Sequence, residues 1–237
     1  MVWAEGKRVL VTGGSQGIGR ATALAFRDIG AVVTITGTRA SPADYDDPLD
    51  GLGYVQCDLA QEADRVRLVD TVGDLDVLVN NAGGGRPDEY TIKGFAAVIA
   101  LNLTAQMDLC LRFHATLKAR GGNVVNMGSL SSFLAIKEVP AYTASKSGLW
   151  GLTRALADGW ARDGIRVNMV APGFIRTRIT AVHRDDAGHE KRLLKAVPMQ
   201  RWGEPEEIAG PILFLASPAA SYVTGASLAI DGGLMLR

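Results

Sequence analysis

Short apolar runs rich in β-branched residues alternate along this chain with longer segments in which apolar residues recur at helical spacing. Such runs are typical of strands that are buried on both faces of a sheet. A helix between consecutive strands makes neighbouring strands parallel, because the crossover returns the chain to the same end of the sheet. The sequence therefore predicts an α/β fold, a doubly wound parallel sheet of about seven strands with helices on both faces.

The expected elements cover most of the chain. Strands are predicted at Arg8–Thr12, Ala31–Thr36, Tyr54–Asp58, Leu75–Asn80, Asn123–Met127, Arg166–Val170 and Ser227–Asp231. Helices are predicted from Ile18 up to Gly30, at Glu62–Val72, about Phe95–Ala119, from near Tyr142 through Trp160, near Arg184–Ala196 and at Glu204–Ala216. The 237 residues suit a single α/β domain spanning 1–237. The charged segment at about 176–201 interrupts the rhythm, and we interpret it as an excursion from that domain.

Composition and charge exclude several classes of protein. The 25 basic and 25 acidic residues cancel, whereas nucleic acid or an anionic membrane surface requires a basic excess. Met1–Arg8 has no apolar core before its charges, and no uninterrupted apolar run approaches the ~18 residues of a membrane span. Cys57 and Cys110 lack disulfide or metal-ligand spacing, and His183 and His189 lie in a stretch interpreted as a solvated face. We expect a cytoplasmic chain with no metal and no nucleic-acid or membrane partner.

A glycine-rich turn, Thr12-Gly13-Gly14-Ser15-Gln16-Gly17-Ile18-Gly19, joins the first strand to the first helix. Gly13 permits a tight turn, Gly17 lets the backbone approach a pyrophosphate, and Gly19 lets the helix pack closely. The N–H groups and positive dipole end of the helix then face the phosphates. Glycine-rich turns also serve as ordinary connections, but this position after a first strand favours a dinucleotide site.

Tyr142 and Lys146 are four residues apart and share one face of a helix. A phenol has a pKa near ~10, and a neighbouring ammonium favours the phenolate and lowers that pKa. The pair thus suits proton transfer to a carbonyl or from an alcohol. Ser129 follows a strand at the end where parallel sheets bind ligands, but spacing alone does not choose it over Ser131 and Ser132.

Together these motifs resemble the short-chain dehydrogenase/reductase family in its single-domain form. The resemblance runs from Lys7 to Gly233 and rests on residues spread along the chain: Thr12–Gly19, Asp58, Asn80-Asn81-Ala82-Gly83, Asn102, Ser129, Tyr142-x-x-x-Lys146 and Pro172-Gly173. The family's serine precedes its tyrosine by thirteen residues, which points to Ser129. Gly128 departs from the family, because many members carry another serine there. The resemblance implies a Rossmann-type sheet.

The resemblance also implies roles for individual residues. Tyr142 is the acid/base, Lys146 lowers its pKa and holds the nicotinamide ribose, Ser129 orients the substrate oxygen, and Asn102 supports a proton relay through water. The implied cofactor contacts are Gly13, Ser15, Gln16, Gly17, Ile18, Gly19, Thr38, Arg39, Asp58, Leu59, Asn81, Ala82, Gly83, Tyr142, Lys146, Pro172, Gly173, Ile175 and Thr177. The implied substrate contacts are Ser129, Phe133, Tyr142 and Phe174.

The end of the second strand favours NADP(H) over NAD(H) as the cofactor. Gly37 stands where NAD-specific relatives carry an aspartate that binds the ribose 2′-hydroxyl. Arg39 can hold a 2′-phosphate, with added hydroxyl bonds from Ser15 and Thr38. Gln16 occupies a position where many NADP-dependent relatives are basic, and Arg39 as a solvated loop residue is the competing interpretation.

The expected activity is hydride transfer between a nicotinamide cofactor and a secondary alcohol or ketone, as in a ketoreductase, an alcohol dehydrogenase or a 3-oxoacyl reductase-like enzyme. The apolar segment Phe133–Val139 predicts a neutral ketone, whereas Arg176 and Arg178 leave an acidic substrate or an acyl-carrier thioester open. Residues at about 176–201 are expected to form a lid over the substrate. A silent dinucleotide-binding regulator and a sugar-nucleotide epimerase or dehydratase are the alternatives. The family implies a homotetramer.

Overall fold

The computed structural model describes residues 3–181 and 186–236 and contains one seven-stranded parallel sheet. In the sheet the strand order is β3-β2-β1-β4-β5-β6-β7. The strands are β1 Arg8–Val11, β2 Val32–Gly37, β3 Gly53–Gln56, β4 Val77–Asn80, β5 Asn123–Met127, β6 Arg166–Pro172 and β7 Ser227–Ile230. The predicted doubly wound parallel sheet is therefore confirmed. The order reverses at β1, which pairs with both β2 and β4, and this places a crevice at the carboxyl ends of these strands.

Helices cover both faces of the sheet. They are α1 Gly17–Asp28, α2 Glu62–Val72, α3 Ile92–Ile99, α4 Ala105–Arg120, α5 Pro140–Trp160, α6 Ala187–Ala196 and α7 Pro205–Ala216. The helix expected near Arg184–Ala196 begins at Ala187 in the described residues, and Arg184 lies outside them.

Side chains of β1 alternate between two cores, as a strand buried on both faces requires. Val9 and Val11 pack with helices α1 and α7 on one face, through residues such as Phe26 and Ile212. Leu10 packs on the other face among residues of α2, α4 and α5. The continuous apolar runs of the sequence reflect this burial on both faces.

The helix expected at about Phe95–Ala119 forms as α3 and α4, joined by a π-helical turn at Ala100–Thr104. Its full span, Ile92–Arg120, is long and apolar enough to cross a membrane by length and composition alone. However, Leu109 and Phe113 on its inner face are fully buried against the sheet, as in a core helix of a globular protein. Asn102 lies in the π-helical turn, a place where helices often carry functional residues.

Candidate active site

A cavity of about 440 Å³ opens at the carboxyl ends of the strands. The loops after β1, β2, β3, β4, β5 and β6 all contribute to its walls. Every expected cofactor contact lines it: Gly13, Ser15, Gln16, Gly17, Ile18, Gly19, Thr38, Arg39, Asp58, Leu59, Asn81, Ala82, Gly83, Tyr142, Lys146, Pro172, Gly173, Ile175 and Thr177. The topology thus brings residues from distant parts of the sequence to one crevice.

The glycine turn is tightly packed against the loop that follows β4. Gly13 and Gly17 have φ values of +62° and +55°, which side-chain-bearing residues rarely adopt. A Cβ on Gly19 would lie 2.4 Å from both the Gly13 carbonyl oxygen and the Asn81 side-chain nitrogen. That nitrogen donates hydrogen bonds to the carbonyl oxygens of Thr12 (2.9 Å) and Gly13 (3.1 Å). A side chain at Gly19 would therefore displace the Asn81 amide that holds this turn.

Tyr142, Ser129 and Lys146 meet on the opposite wall of the cavity. The Ser129 hydroxyl lies near enough to the Tyr142 phenol to lower its pKa, and it donates to the Ser131 hydroxyl at 3.3 Å. The Lys146 ammonium nitrogen lies 5.6 Å from the centre of the Tyr142 ring and donates to the Met127 carbonyl oxygen at 2.6 Å. Among the three neighbouring serines, only Ser129 lines the cavity, since Ser131 and Ser132 are buried. A hydroxyl pair beside a buried cation can bind a carbonyl oxygen and exchange a proton with it.

The predicted lowering of the Tyr142 pKa is wrong for this structure. Burial raises the pKa of the Tyr142 phenol, the Ser129 hydroxyl lowers it, and the charge of Glu89 raises it again, so that the net shift is upward. Burial also lowers the pKa of Lys146 to about 8. Burial disfavours the charged form of both groups, and the spacing of residues in the sequence does not report burial.

Asn102 is fully buried behind the cavity and does not line it. Its side-chain oxygen accepts the Gly84 N–H at 3.0 Å, and its amide nitrogen donates to the Gly84 carbonyl oxygen and the Ser145 hydroxyl, each at 3.0 Å. A Cβ on Gly83 would lie 2.9 Å from the Asn102 side-chain oxygen and 3.4 Å from the Lys146 nitrogen. Asn102 and Lys146 therefore flank the same glycine.

The departure from the family at Gly128 has a packing explanation. A Cβ at Gly128 would lie 2.6 Å from the sulfur of Met169, which fills the space beside it from β6. A serine at this position therefore requires Met169 to move. Gly128 itself remains part of the cavity wall.

Two expected substrate contacts do not reach the cavity wall. Phe133 packs against Trp150, with ring centres 5.9 Å apart, and is partly exposed. Phe174 packs against Trp202, with ring centres 5.7 Å apart, and lines a different cavity. In each case an aromatic neighbour far away in the sequence holds the ring elsewhere.

The end of the cavity beside β2 contains Arg39 and a tyrosine that the sequence reasoning missed, Tyr45. The Arg39 guanidinium lies over the Tyr45 ring, 4.8 Å from its centre, and the Tyr45 hydroxyl accepts the Arg39 backbone N–H at 3.1 Å. A Cβ on Gly37 would lie 2.3 Å from the Tyr45 hydroxyl oxygen. Tyr45 follows a short 3₁₀ turn, where no periodicity in the sequence marks it.

Glu89 is the second residue that the sequence reasoning missed. Its side chain is buried and accepts the backbone N–H of Tyr142. The sequence shows only a Glu in a charged loop, which more often indicates a solvated side chain.

In residues 3–181 and 186–236, no group of three or more His, Cys, Asp or Glu side chains is placed to hold a metal ion. His183 and Asp185 lie outside the described residues. Cys57 and Cys110 are both buried as free thiols.

Comparison with known proteins agrees with this architecture. Residues 13–235 match a family described as Enoyl-(Acyl carrier protein) reductase. The chain belongs to the short-chain dehydrogenase/reductase family, whose members include NAD(P)-dependent oxidoreductases acting on alcohol and carbonyl groups.

Individual relatives cover almost the whole chain. The 2-dehydro-3-deoxy-D-gluconate 5-dehydrogenase of Escherichia coli is 36% identical over 247 aligned positions, covering 98% of this chain and 97% of that protein. A tropinone reductase homolog of Arabidopsis thaliana is 36% identical, covering 98% of this chain and 94% of that protein. A solved structure from Agrobacterium tumefaciens with bound NADP is 39% identical, with a TM-score of 0.90 and 98% of each chain covered.

Proposed function

We propose that this protein is an NADP(H)-dependent oxidoreductase that interconverts a secondary alcohol and a ketone. The observation that carries the proposal is the placement of Tyr142, Ser129 and Lys146 on one wall of a cavity whose other walls include the glycine turn. A nicotinamide cofactor bound there supplies or accepts the hydride. Residues 1–237 act as a single catalytic domain in this proposal.

Tyr142 handles the proton in the proposed reaction. Its hydroxyl donates a proton to the carbonyl oxygen during reduction and removes one from the alcohol during oxidation. The Ser129 hydroxyl, which lines the same cavity as Tyr142, donates to the same substrate oxygen and stabilises its developing charge. Lys146 presents its ammonium from the buried side and holds the ribose of the cofactor, while Asn102 fixes the helix turn beside it.

The packing around Gly83 suggests how Tyr142 regains its proton. Asn102 and Lys146 both approach this glycine, so the buried side of Tyr142 is lined by polar groups. We propose that a water chain through this region returns the proton to Tyr142, as the sequence analysis expected for Asn102.

The preference for NADP(H) is supported at the other end of the cavity. Arg39 is held over the Tyr45 ring, where its guanidinium can bind a 2′-phosphate in a bidentate manner. An aspartate at Gly37, which would favour NAD(H), would require the Tyr45 and Tyr54 side chains to move, because its Cβ would collide with both. The bound NADP of the Agrobacterium relative agrees with this assignment.

For the substrate, we propose a polyhydroxy acid with a carboxylate that Arg178 binds. Arg178 lines the cavity together with Ile179 and Thr180, and it makes no ion pair within the described residues. Arg176 is instead paired with Glu204 at 2.9 Å. The apolar residues Phe133 and Leu134 are not among the residues that line the cavity, so the proposal gives more weight to the charge of Arg178. The Escherichia coli relative is a dehydrogenase of a gluconate derivative.

A steady-state assay with NADPH and NADH tests both parts of the function. We expect turnover of a keto derivative of gluconate and little turnover of tropinone, whose ring nitrogen is cationic. Arg178→Ala is expected to raise KM for the acid at least about tenfold, the loss of one charge-assisted bond, with an unchanged Kd for NADPH. Arg176→Ala is the matched control and is expected to change neither value. A higher Kd for NADPH in Arg178→Ala would instead place that side chain on the cofactor.

The alternatives of a silent regulator and a sugar-nucleotide epimerase are not favoured. Both Tyr142 and Lys146 are present at the cavity, and the chain covers its relatives almost end to end. The same assay decides this, because a silent regulator binds NADPH without turning over any substrate.

For assembly and location, we propose a cytoplasmic homotetramer. Several large apolar side chains are exposed on the outer helices, on the last strand and in the turn before it, among them Leu111, Phe214, Leu228 and Tyr222. Apolar surface of this kind suits contact between copies of the chain. Light scattering at micromolar concentration tests the proposal, and a monomer would contradict it.

A further inference from the structure

A buried carboxylate lies directly behind the catalytic helix. Glu89 belongs to the turn between β4 and α3 and is only 2% exposed. One of its carboxylate oxygens accepts the backbone N–H of Tyr142 at 2.9 Å, and the other accepts the backbone N–H of Arg86 at 3.0 Å. No Lys, Arg or His side chain pairs with it within the two described stretches. Two backbone donors therefore hold a buried charge that burial alone disfavours.

The bond to Tyr142 occurs where helix α5 needs an acceptor. Tyr142 is the third residue of α5, so its N–H has no partner within the helix. The residue before the helix, Val139, has no side chain that can cap it. Glu89 caps the helix from another element, and its negative charge faces the positive end of the helix dipole.

The same loop is tied to α5 a second time, one turn further along. Gly84 bonds the Asn102 side chain through both its N–H and its carbonyl, and Asn102 donates to the Ser145 hydroxyl at 3.0 Å. A Cβ on Gly85 would lie 2.8 Å from a Glu89 oxygen, so this glycine leaves room for the carboxylate. The glycine run after β4 therefore serves the attachment of α5 as well as the cavity.

We propose that Glu89 is a positioning residue for the reaction, which locks the first turn of α5, and with it the Tyr142 hydroxyl, against the loop that follows β4. The proposal rests on the proposed role of Tyr142. It adds that a residue outside the cavity sets where that hydroxyl lies and how readily it ionises.

The charge of Glu89 gives the proposal a signature in the pH profile. Tyr142 is flanked by Glu89 from the loop after β4, by Lys146 from α5 and by the neutral Ser129 from the loop after β5. The negative charge of Glu89 raises the pKa of the Tyr142 phenol. Alcohol oxidation requires the ionised phenol, so loss of that charge must move the rising limb of kcat/KM to lower pH.

Three variants of Glu89 separate the effect of the position of its carboxylate from the effect of its charge. Glu89→Gln removes the charge and is expected to move the limb to lower pH by roughly half a unit or more. Glu89→Asp keeps the charge but withdraws the carboxylate by one methylene; it is expected to leave the limb in place and lower kcat at least about tenfold. Glu89→Ala combines both effects. All three are expected to keep the Kd for NADPH within about twofold of wild type.

Thr91→Ala is the matched control for a purely structural role. Thr91 is in the same loop, and its hydroxyl caps α3 by accepting the Gly94 N–H at 3.0 Å. Its loss is expected to lower the melting temperature without changing kcat or the pH limb. The proposal is overturned if the Glu89 variants only have lower melting temperatures, while the rising limb of kcat/KM stays at the same pH and kcat stays normal.

The two proposals fail in different ways. If Tyr142→Phe retains wild-type turnover, the proposed function is wrong. If Tyr142→Phe is inactive while Glu89→Gln and Glu89→Asp both match wild type, only the role of Glu89 is wrong.

Discussion

At the catalytic end of the cavity, Lys146 is buried and its ammonium donates to the Met127 carbonyl oxygen, while Asn102 is bound on three sides behind it. At the adenosine end, Arg39 is only half-buried and rests on the ring of Tyr45 in a loop. The first end is held by the sheet and α5, the second by one loop. Changes at the first end should therefore abolish the reaction with either cofactor, and changes at the second should alter only the choice between cofactors.

The largest effect is expected for Tyr142→Phe. Phenylalanine keeps the ring but removes the oxygen that we propose transfers the proton, so kcat should fall at least roughly a thousandfold. The Kd for NADPH, measured by fluorescence titration, should stay within about twofold. Tyr222→Phe is the control, because Tyr222 is fully exposed. Residual turnover of more than a few per cent of wild type would contradict the proposed role of Tyr142 in proton transfer.

Lys146→Met tests the burial that distinguishes the catalytic end. The pKa of Lys146 falls from 10.5 to about 8 because the buried ammonium is disfavoured. Below pH 8 the folded state holds that ammonium at a cost of roughly 3 kcal/mol relative to the unfolded chain. The folded state loses its proton at lower pH than the unfolded chain, so this cost disappears as pH rises from about 8 to 10.5.

The Lys146→Met variant, which we expect to be inactive, should therefore gain stability relative to wild type at pH 7. That advantage should shrink by roughly 2–3 kcal/mol between pH 7 and pH 10. Urea unfolding at a series of pH values measures the difference. The lost bond to the Met127 carbonyl affects both pH values equally, so only the pH-dependent part is diagnostic. The exposed Lys137→Met should show no such dependence, and a constant difference in Lys146→Met would contradict the prediction.

Regular elements and loop contacts also differ in how far the sequence could predict them. The fold followed from alternating periodicities, and the shared helix face of Tyr142 and Lys146 followed from their spacing, whereas the choice of Ser129 over Ser131 and Ser132 needed the family resemblance. Each of these depends on regular geometry, which local sequence reports.

Other features of the structure involve contacts that no period in the sequence encodes. Phe133 and Phe174 are held away from the cavity by Trp150 and Trp202. Glu89 reaches Tyr142 across 53 positions of sequence, and its charge helps to raise a pKa that spacing alone predicted to fall. Loop residues and buried charges need the packed structure before their roles can be read.

Arg39→Ala addresses the adenosine end and should have a smaller effect. Loss of a bidentate bond to a phosphate costs about 1.5–3 kcal/mol, so kcat/KM with NADPH should fall roughly 10- to 100-fold. The value with NADH should change little, because NADH has no 2′-phosphate. Arg20→Ala is the control, since Arg20 donates to the Pro48 carbonyl and does not line the cavity. Unchanged discrimination would mean that Arg39 is a solvated residue.

Tyr45→Phe gives the smallest expected effect and the sharpest view of how the loop presents Arg39. Burial raises the pKa of Tyr45, but hydrogen bonds with Tyr54 and the Arg39 backbone and the nearby hydroxyls of Ser15 and Thr38 lower it by more, so that the net shift is downward. The Tyr45 hydroxyl therefore lies among the groups expected around a 2′-phosphate. Phenylalanine keeps the ring beneath Arg39 and removes these bonds. A net loss of about 0.5–1.5 kcal/mol corresponds to a roughly 2- to 12-fold weaker Kd for NADPH. NADH binding should not change, and Tyr45→Ala, which also removes the ring, should weaken NADPH further. An equal rise of Kd for NADPH and NADH would show that Tyr45 supports the whole loop. The adenosine end of the cavity would then depend on its surrounding structure as much as the catalytic end does.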